Sequence, residues 1–587
     1  MDRQHRVKMA FLFLLAPVHV VCAQIPFTLN GPDVDPSDFR ITTYATGLNF
    51  PIGMTELADG SVLVAVSQGA NFFTSSSGSL IRLFSSTNNG IADTQNTLVA
   101  NVPGGGLTSV RRAGDLIITT GHGPDPPISI YRVGETSTDP FTPVGSITFT
   151  YPPGADNCPS PTCWQHRHSA LSVRQTPGIA DSYDILFHIG SKTNADITSA
   201  TVDLSSDIGL TGTLNGDALH MFRLTDHATS VSGSNLTQLA SGLRNAAGHA
   251  FQPGTGDLFF QDNGIDGLLN RGEPLSADEL NVIPAAEIGG TIDFFGFPDN
   301  YTEYRTDVLI GEAGTLPRFA FQPIPAPIGA EAEGANDIAF SPEAFPAPVN
   351  QGVFVGMHGQ FLQGGVSNQE NPLVFANLSD DSYFHFIQNT EPAVGHLNGL
   401  LSTADSLYVA DMSPTGNLGG NVENTGIVYQ ITSAVRHWIH PHGAADWSAP
   451  NHWTGHGAPA SFWKARLTNT ESVDKRAIVN NDATVREVTV NGDNHWMSLH
   501  IESAVKLHAS GGVVLESLSE LSGGGIVDGD VTNHGRLSPG ATWTGSMPPP
   551  ATGDHSTPEP STLLSMLLAV LFVLSLRTTL TSHSQTG

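Results

Sequence analysis

One phrase recurs six times along this chain and restricts its fold more than any composition does. It is a polar or glycine-led loop, an apolar strand, a Gly or Asp turn, and a second apolar strand ending in small residues. The phrase spans 47–65 (Pro51-Ile52-Gly53-Met54, then Asp59-Gly60-Ser61-Val62-Leu63-Val64), 106–120, 168–190, 242–262, 334–356 and 396–411. Further apolar strands close the units, among them Leu80-Ile81-Arg82-Leu83, Ile128-Ser129-Ile130-Tyr131, Leu219-His220-Met221-Phe222 and Ile427-Val428-Tyr429-Gln430-Ile431. Units that cannot bury an apolar face alone stack on their neighbours. Six of them in about 410 residues is roughly 65 to 70 residues each, the length of a four-stranded blade with loop insertions. Tandem β-sandwiches are the alternative, but they would not repeat one Gly-Asp turn six times. The sequence therefore predicts an all-β chain with a six-bladed β-propeller over 24–435.

Beyond Ser433 the character changes. Trp438, Trp447 and Trp453 punctuate a Gly/His/Ala stretch, and alternating strands follow at 477–479, 485–490, 497–501 and 511–515. The run Gly525-Ile526-Val527-Asp528-Gly529-Asp530 to Gly540 resembles the end of the β-helical repeats of bacterial surface proteins, which predicts a small β-solenoid-like domain over 436–545. A Pro-rich linker (546–560) and a C-terminal apolar helix within 561–587 complete the chain. Both ends read as addresses. Arg3, Arg6 and Lys8 precede the apolar run 9–21 and Val21-Cys22-Ala23, the pattern of a cleaved secretory signal over 1–23. Pro558-Glu559-Pro560, the apolar run 561–576 and Arg577 resemble a PEP-CTERM sorting signal with its basic cluster thinned to one arginine. That run is shorter than the roughly 20 residues that span a bilayer, so a transient membrane anchor processed by a sorting enzyme is expected, an ordinary C-terminal anchor being the alternative. The expected location is the cell envelope or exterior of a Gram-negative type of bacterium.

A formal charge of −30 in 587 residues excludes nucleic acid as a partner, because binding a phosphate backbone needs basic surface. An acidic surface suits an extracellular or calcium-binding protein. After signal removal only Cys158 and Cys163 remain, and in an oxidising compartment their spacing most simply closes a small disulfide loop.

Candidate chemistry concentrates in 242–281. Gly242-Leu243-Arg244-Asn245 precedes a strand, a Gly-Asp turn and the strand Leu258-Phe259-Phe260, then Asp262-Asn263-Gly264-Ile265 and Asp278-Glu279-Leu280-Asn281. This order brings a cation and carboxylates to one end of a small sheet, where loops carry function. It resembles the GLRNP-G, D-x-G and DELN signatures of the quinoprotein glucose/sorbosone dehydrogenase family, a likeness covering about 37 to 433. The resemblance implies oxidation of a sugar or alcohol through pyrroloquinoline quinone (PQQ), held and polarised by calcium. It implies that His168 accepts the substrate proton, a task suited to imidazole, and that Arg244 and Asn245 lie against the cofactor, Arg244 stabilising charge as the quinone is reduced. Gly264 and Ile265 fall where the family offers backbone carbonyls to calcium. Asp262, Asp266 and Glu273 also fit positions one, five and twelve of an EF-hand loop, with Gly267 at six, but Gly264 at three and the lack of flanking helices argue against one.

The chain departs from the family pattern at three places. Gly104-Gly105-Gly106-Leu107 stands for a glutamine near the cofactor, Ser191 for the aspartate that orients the histidine, and His358 and His396 for the cations that grip the PQQ carboxylates. A non-catalytic propeller that binds a carbohydrate or a protein at the cell surface is therefore the alternative function. A lactonase-like propeller with a central calcium is a third, with Asn336-Asp337 as a candidate pair.

Overall fold

The computed structural model describes residues 25–545 except 88, 124, 153–163, 197, 266–275, 304, 305, 307, 322–333, 360–372, 389–393, 421, 539 and 541. The secretory signal, Cys158 and Cys163, Asp266 to Glu273, the Pro-rich linker and the C-terminal apolar helix all lie outside the described residues. Among the described residues no helix is long and apolar enough to cross a membrane. Two compact units divide after Arg436.

The first unit is a six-bladed propeller. Blade 1 is Met54–Glu56, Val62–Ser67, Ser77–Phe84 and Thr94–Pro103; blade 2 is Leu107–Ala113, Leu116–Gly121, Ile128–Arg132 and Thr142–Thr150. Blade 3 is Leu171–Gln175, Ser182–Ile189, Ala218–Asp226 and Val231–Ser241, and blade 4 is Gly248–Phe251, Leu258–Asp262, Asp278–Ile283 and Phe319–Phe321. Blade 5 is Ala335–Phe340, Gly352–Met357, Leu373–Asn377 and Ser382–Ile387. Blade 6 takes Gly399–Ser402, Ser406–Asp411 and Gly426–Ser433 from the end of the unit and its outer strand, Phe39–Leu48, from the beginning. This exchange ties the two ends of the propeller together by backbone hydrogen bonds. The repeated phrase of the sequence is in each case the innermost hairpin of a blade. Its second strand is packed on both faces, as Val62–Ser67 is, buried throughout, which explains an unbroken apolar run where one-sided burial would impose alternation. The outer strand Thr94–Pro103 does alternate, one face being solvated.

The first strands of successive blades touch one another in a closed ring. Their backbones come close enough that a Cβ on Gly248 would collide with the Asn336 carbonyl, and one on Gly399 with the Ile52 carbonyl. The axis they enclose is bridged by side chains. Arg111, on the first strand of blade 2, donates from Nη2 to Asp337 Oδ1 on the first strand of blade 5 at 2.7 Å, so one ion pair crosses between opposite blades. Asp337 also accepts from the amides of Ile338 (3.1 Å) and Leu400 (3.4 Å), which anchors it to blade 6.

The second unit consists of three ladders of parallel strands. One runs through Lys464–Asn469, Glu487–Gly492, Val513–Leu515 and Val531–Asn533. A second runs through Gly443–Asp446, Lys475–Val479, Met497–Ile501, Ser519–Gly523 and Arg536–Leu537. The third links Ala483–Val485, Lys506–Ala509, Ile526–Asp528 and Thr542–Trp543. Val, Leu and Ala from all three fill one core, joined at its start by Trp438, Trp447 and Trp453.

Removing one partner of a buried ion pair leaves the other charge uncompensated, at a cost of about 3 kcal/mol where burial is nearly complete. Arg111→Met is therefore expected to lower the unfolding free energy of the propeller by about that amount. Chemical denaturation followed by tryptophan fluorescence and circular dichroism checks it; an unchanged midpoint would show that the axial pair is dispensable.

Candidate functional site

Because each inner hairpin is antiparallel, the loop entering its first strand and the residues leaving its second lie at the same end of the ring. His168, Ser191, Arg244, Asn245, Gly264, Ile265, His358 and His396 fall in these loops, and buried carboxylates fix the loops' shape. Asp262, the last residue of its strand, accepts from the amides of Arg244 (3.0 Å) and Asn245 (2.6 Å). Asp411 holds the amides of Gly395, His396 and Ser413 at 2.9 to 3.1 Å. Asp278 joins the amides of Gly264 (2.8 Å) and Gly334 (2.7 Å), tying blade 4 to blade 5. Burial nevertheless pushes Asp262 up to about 8, outweighing its two amide bonds, and pushes Glu279 up to about 7.

Arg244 is buried, and its guanidinium donates to the side chain of Asn194 (2.7 Å from Nη2, 3.2 Å from Nε) and from Nε to its carbonyl at 3.3 Å. Asn245 Nδ2 donates to Asn263 Oδ1 at 2.8 Å. The imidazole that feels the charge of Arg244 is His166, whose Nδ1 lies 2.8 Å from Ser191 Oγ. Burial first, then Arg244, His188 and His122, keep His166 well below the usual histidine range. His188 is fully buried beside Asn245, and burial pulls it down to about 4.

His168 is placed differently. Its ring lies 3.9 Å from that of Phe149 and its Nδ1 is 2.8 Å from the Tyr151 hydroxyl, which also accepts from the His168 amide at 3.0 Å. It is wholly buried where blades 2 and 3 pack together, and burial lowers it to about 3. Ser191 thus meets His166 and not His168. Both histidines stand in the stretch His166-Arg167-His168, and only burial distinguishes them.

His358 and His396 do come together, their rings stacked at 4.3 Å and 9°. Both nitrogens of His396 face carbonyl oxygens, Nδ1 that of His358 (2.5 Å) and Nε2 that of Gly416 (2.8 Å), while His358 Nδ1 meets Asn398 Nδ2 at 2.8 Å. Burial, then His396, hold His358 well below the usual range. His122, partly exposed between His166 and His358, stacks on Phe72 at 6.1 Å and meets Phe73 edge-on. At the floor, beside Arg111, Ser172 Oγ lies 2.6 Å from His249 Nδ1. Gly264 is pressed against the carbonyls of Ser276 and Ala277, and the Ile265 side chain is buried with Ala277 and Phe297.

No family model and no curated protein matches the chain. Among solved structures, the holo form of the pyranose dehydrogenase PQQ domain from Coprinopsis cinerea is 16% identical, the match covering 70% of this chain and 98% of that one with a TM-score of 0.43. The apo form of the soluble aldose sugar dehydrogenase from Escherichia coli is 13% identical over 67% of this chain and 99% of that one, with a TM-score of 0.43. The calcium structure of a Trichoderma reesei Carbohydrate-Active Enzymes Family AA12 protein is 16% identical over 70% and 99%, with a TM-score of 0.43. Blade count and site geometry come from the pairing and contacts of this chain itself.

The described residues do not fit PQQ. A trianion needs charge-assisted bonds at its carboxylates; Arg111 is neutralised by Asp337, and Arg244, though it keeps its charge, is buried with its guanidinium on neutral Asn194. Arg167 donates to the Gly123 carbonyl, and desolvation holds half-buried His166 and His358 and buried His188 neutral. The carboxylates of Asp262 and Asp278 are engaged by backbone amides, and among the described residues no three His, Cys, Asp or Glu side chains gather as a metal site. Asp337, held by Arg111, is likewise unsuited to a central calcium.

A carboxylate whose folded pKa is raised stabilises the fold below its unfolded pKa, near 4, and that contribution disappears as pH rises through the folded value. The buried histidines whose folded values are lowered act in the opposite sense, adding stability as pH rises through the unfolded value near 6.5, but that contribution is common to wild type and variant and cancels in their difference. The unfolding free energy of the wild type relative to Glu279→Gln is therefore expected to fall between about pH 5 and 8 as Glu279 ionises. Denaturant titrations of both proteins across that range test it, and a flat difference would contradict it.

Proposed function

We propose that the axial face binds a neutral polyhydroxylated ligand, a sugar or sugar alcohol, without oxidising it through PQQ. The observation that carries this reading is the rim itself. His122, His166, Asn245 and His358 reach the surface as uncharged donors and acceptors beside the aromatic edge of Phe72 and Phe73. Neutral hydrogen-bonding groups beside an aromatic wall suit hydroxyls on an apolar ring and leave an anion without counter-charge. The three parallel ladders of the second unit fit a short β-solenoid, and with the two terminal addresses they agree with an exported protein held at the cell envelope.

A second reading, oxidation of a sugar or alcohol by a PQQ- and calcium-dependent dehydrogenase, rests on one observation, the buried Arg244 cation beside His166.

Calorimetry of the full chain with neutral mono- and oligosaccharides separates the two. Binding is expected without calcium, weakened at least tenfold by His166→Ala combined with His358→Ala, and no bound-quinone absorbance should develop with PQQ and calcium. Quinone absorbance together with sugar-dependent dye reduction would establish the dehydrogenase instead.

A further inference from the structure

The second unit begins with an unusual density of imidazoles in His440-Pro441-His442 and Asn451-His452-Trp453. In space these two stretches meet. The rings of His440 and His452 lie 4.5 Å apart, those of His440 and His442 6.3 Å apart, and Trp438 backs the group at 5.3 Å from His452. Two imidazoles bound cis to one divalent ion, with metal–nitrogen distances of about 2.0 Å, place their ring centres roughly 4.5 to 5.5 Å apart.

We propose that His440, His442 and His452 form a binding site for a borderline divalent transition metal, zinc or nickel, at the start of the second unit.

Three features beyond proximity support it. His452 Nδ1 faces the Asp446 carbonyl at 2.8 Å, an atom that can only accept, so Nδ1 carries the proton and Nε2 keeps a lone pair. A ring nitrogen donating to a backbone carbonyl while the other binds metal is the usual arrangement of histidine ligands. His440 is hydrogen-bonded in turn to the backbone of His442, which orients its ring. Finally, Pro441 fixes the backbone between two of the ligands, and exposed His442 is free to turn inward. That turn is needed, since among the described residues no three ligating side chains already converge on one point. Imidazole ligands without thiolate favour zinc, nickel or copper over calcium or magnesium. No part of the proposed function depends on this site.

The test uses the full chain, stripped with chelator, dialysed, and titrated with zinc chloride at pH 7.5 by calorimetry, with nickel chloride in parallel. One site is expected, its affinity reduced at least tenfold by His440→Ala and by His452→Gln and unchanged by His508→Gln, a surface histidine paired with Asp528. Metal-free thermal unfolding verifies that the variants fold. Because His452 packs on Trp438, a loss of fold in that variant leaves His440→Ala and long-range nitrogen NMR of the wild-type imidazoles to decide, with zinc shifting the His440 and His452 resonances. Absence of binding tighter than millimolar, or binding equally tight in His440→Ala with those resonances unmoved, would overturn the proposal.

Discussion

The ion pair between Arg111 and Asp337 is the contact on which the centre of this propeller depends. A ring of six first strands leaves an axis that must be filled, and here one arginine from blade 2 reaches one aspartate from blade 5 across it. Desolvating both groups is costly, and an apolar plug of equal volume could serve stability as well. What the pair adds is geometry, since it joins opposite blades and, through the Leu400 amide on Asp337, a third. It also removes charge from the floor of the axial face, because each partner neutralises the other.

The same economy governs the loops above it. Signatures that resemble a cofactor pocket are used here as backbone supports. Asp262 shapes the Arg244-Asn245 loop, Asp278 connects Gly264 to Gly334, and Asp411 shapes the loop carrying His396. A carboxylate accepting two or three amides keeps a tight turn in place whatever the turn then binds. Such motifs therefore account for the scaffold of the loops whatever the loops bind.

The blades were legible in the sequence because each opens with a hairpin whose second strand is an almost wholly buried apolar run. The additions were not. The hairpin Thr201–Ser206 with Thr211–Asn215 extends blade 2 from within blade 3, and Asp293–Phe294 pairs parallel to the edge of blade 3. Both are short, half-polar and defined by partners distant in the chain. In the site, Arg244 and Asn245 were legible as a loop pair. The choice of His168 over His166 could not be made from spacing, since both occupy one extended stretch and differ in what packs on them, Phe149 and Tyr151 against the one and Ser191 against the other. Arg111 and Asp337 are 226 residues apart, and nothing local marks either as the other's partner.

Histidine chemistry in this chain follows burial. At the axial face, desolvation holds His122, His166, His188 and His358 below the usual histidine range, so they act as neutral hydrogen-bonding groups, and acid must first overcome that desolvation before charging them. At the start of the second unit the imidazoles are half-buried or exposed, and His452 is oriented by a carbonyl rather than enclosed by aromatic packing on every side. A ring of the first kind presents a fixed polar surface to a hydroxyl. A ring of the second kind can turn and offer its lone pair to an ion, so the same side chain supports two chemistries separated only by the packing around it.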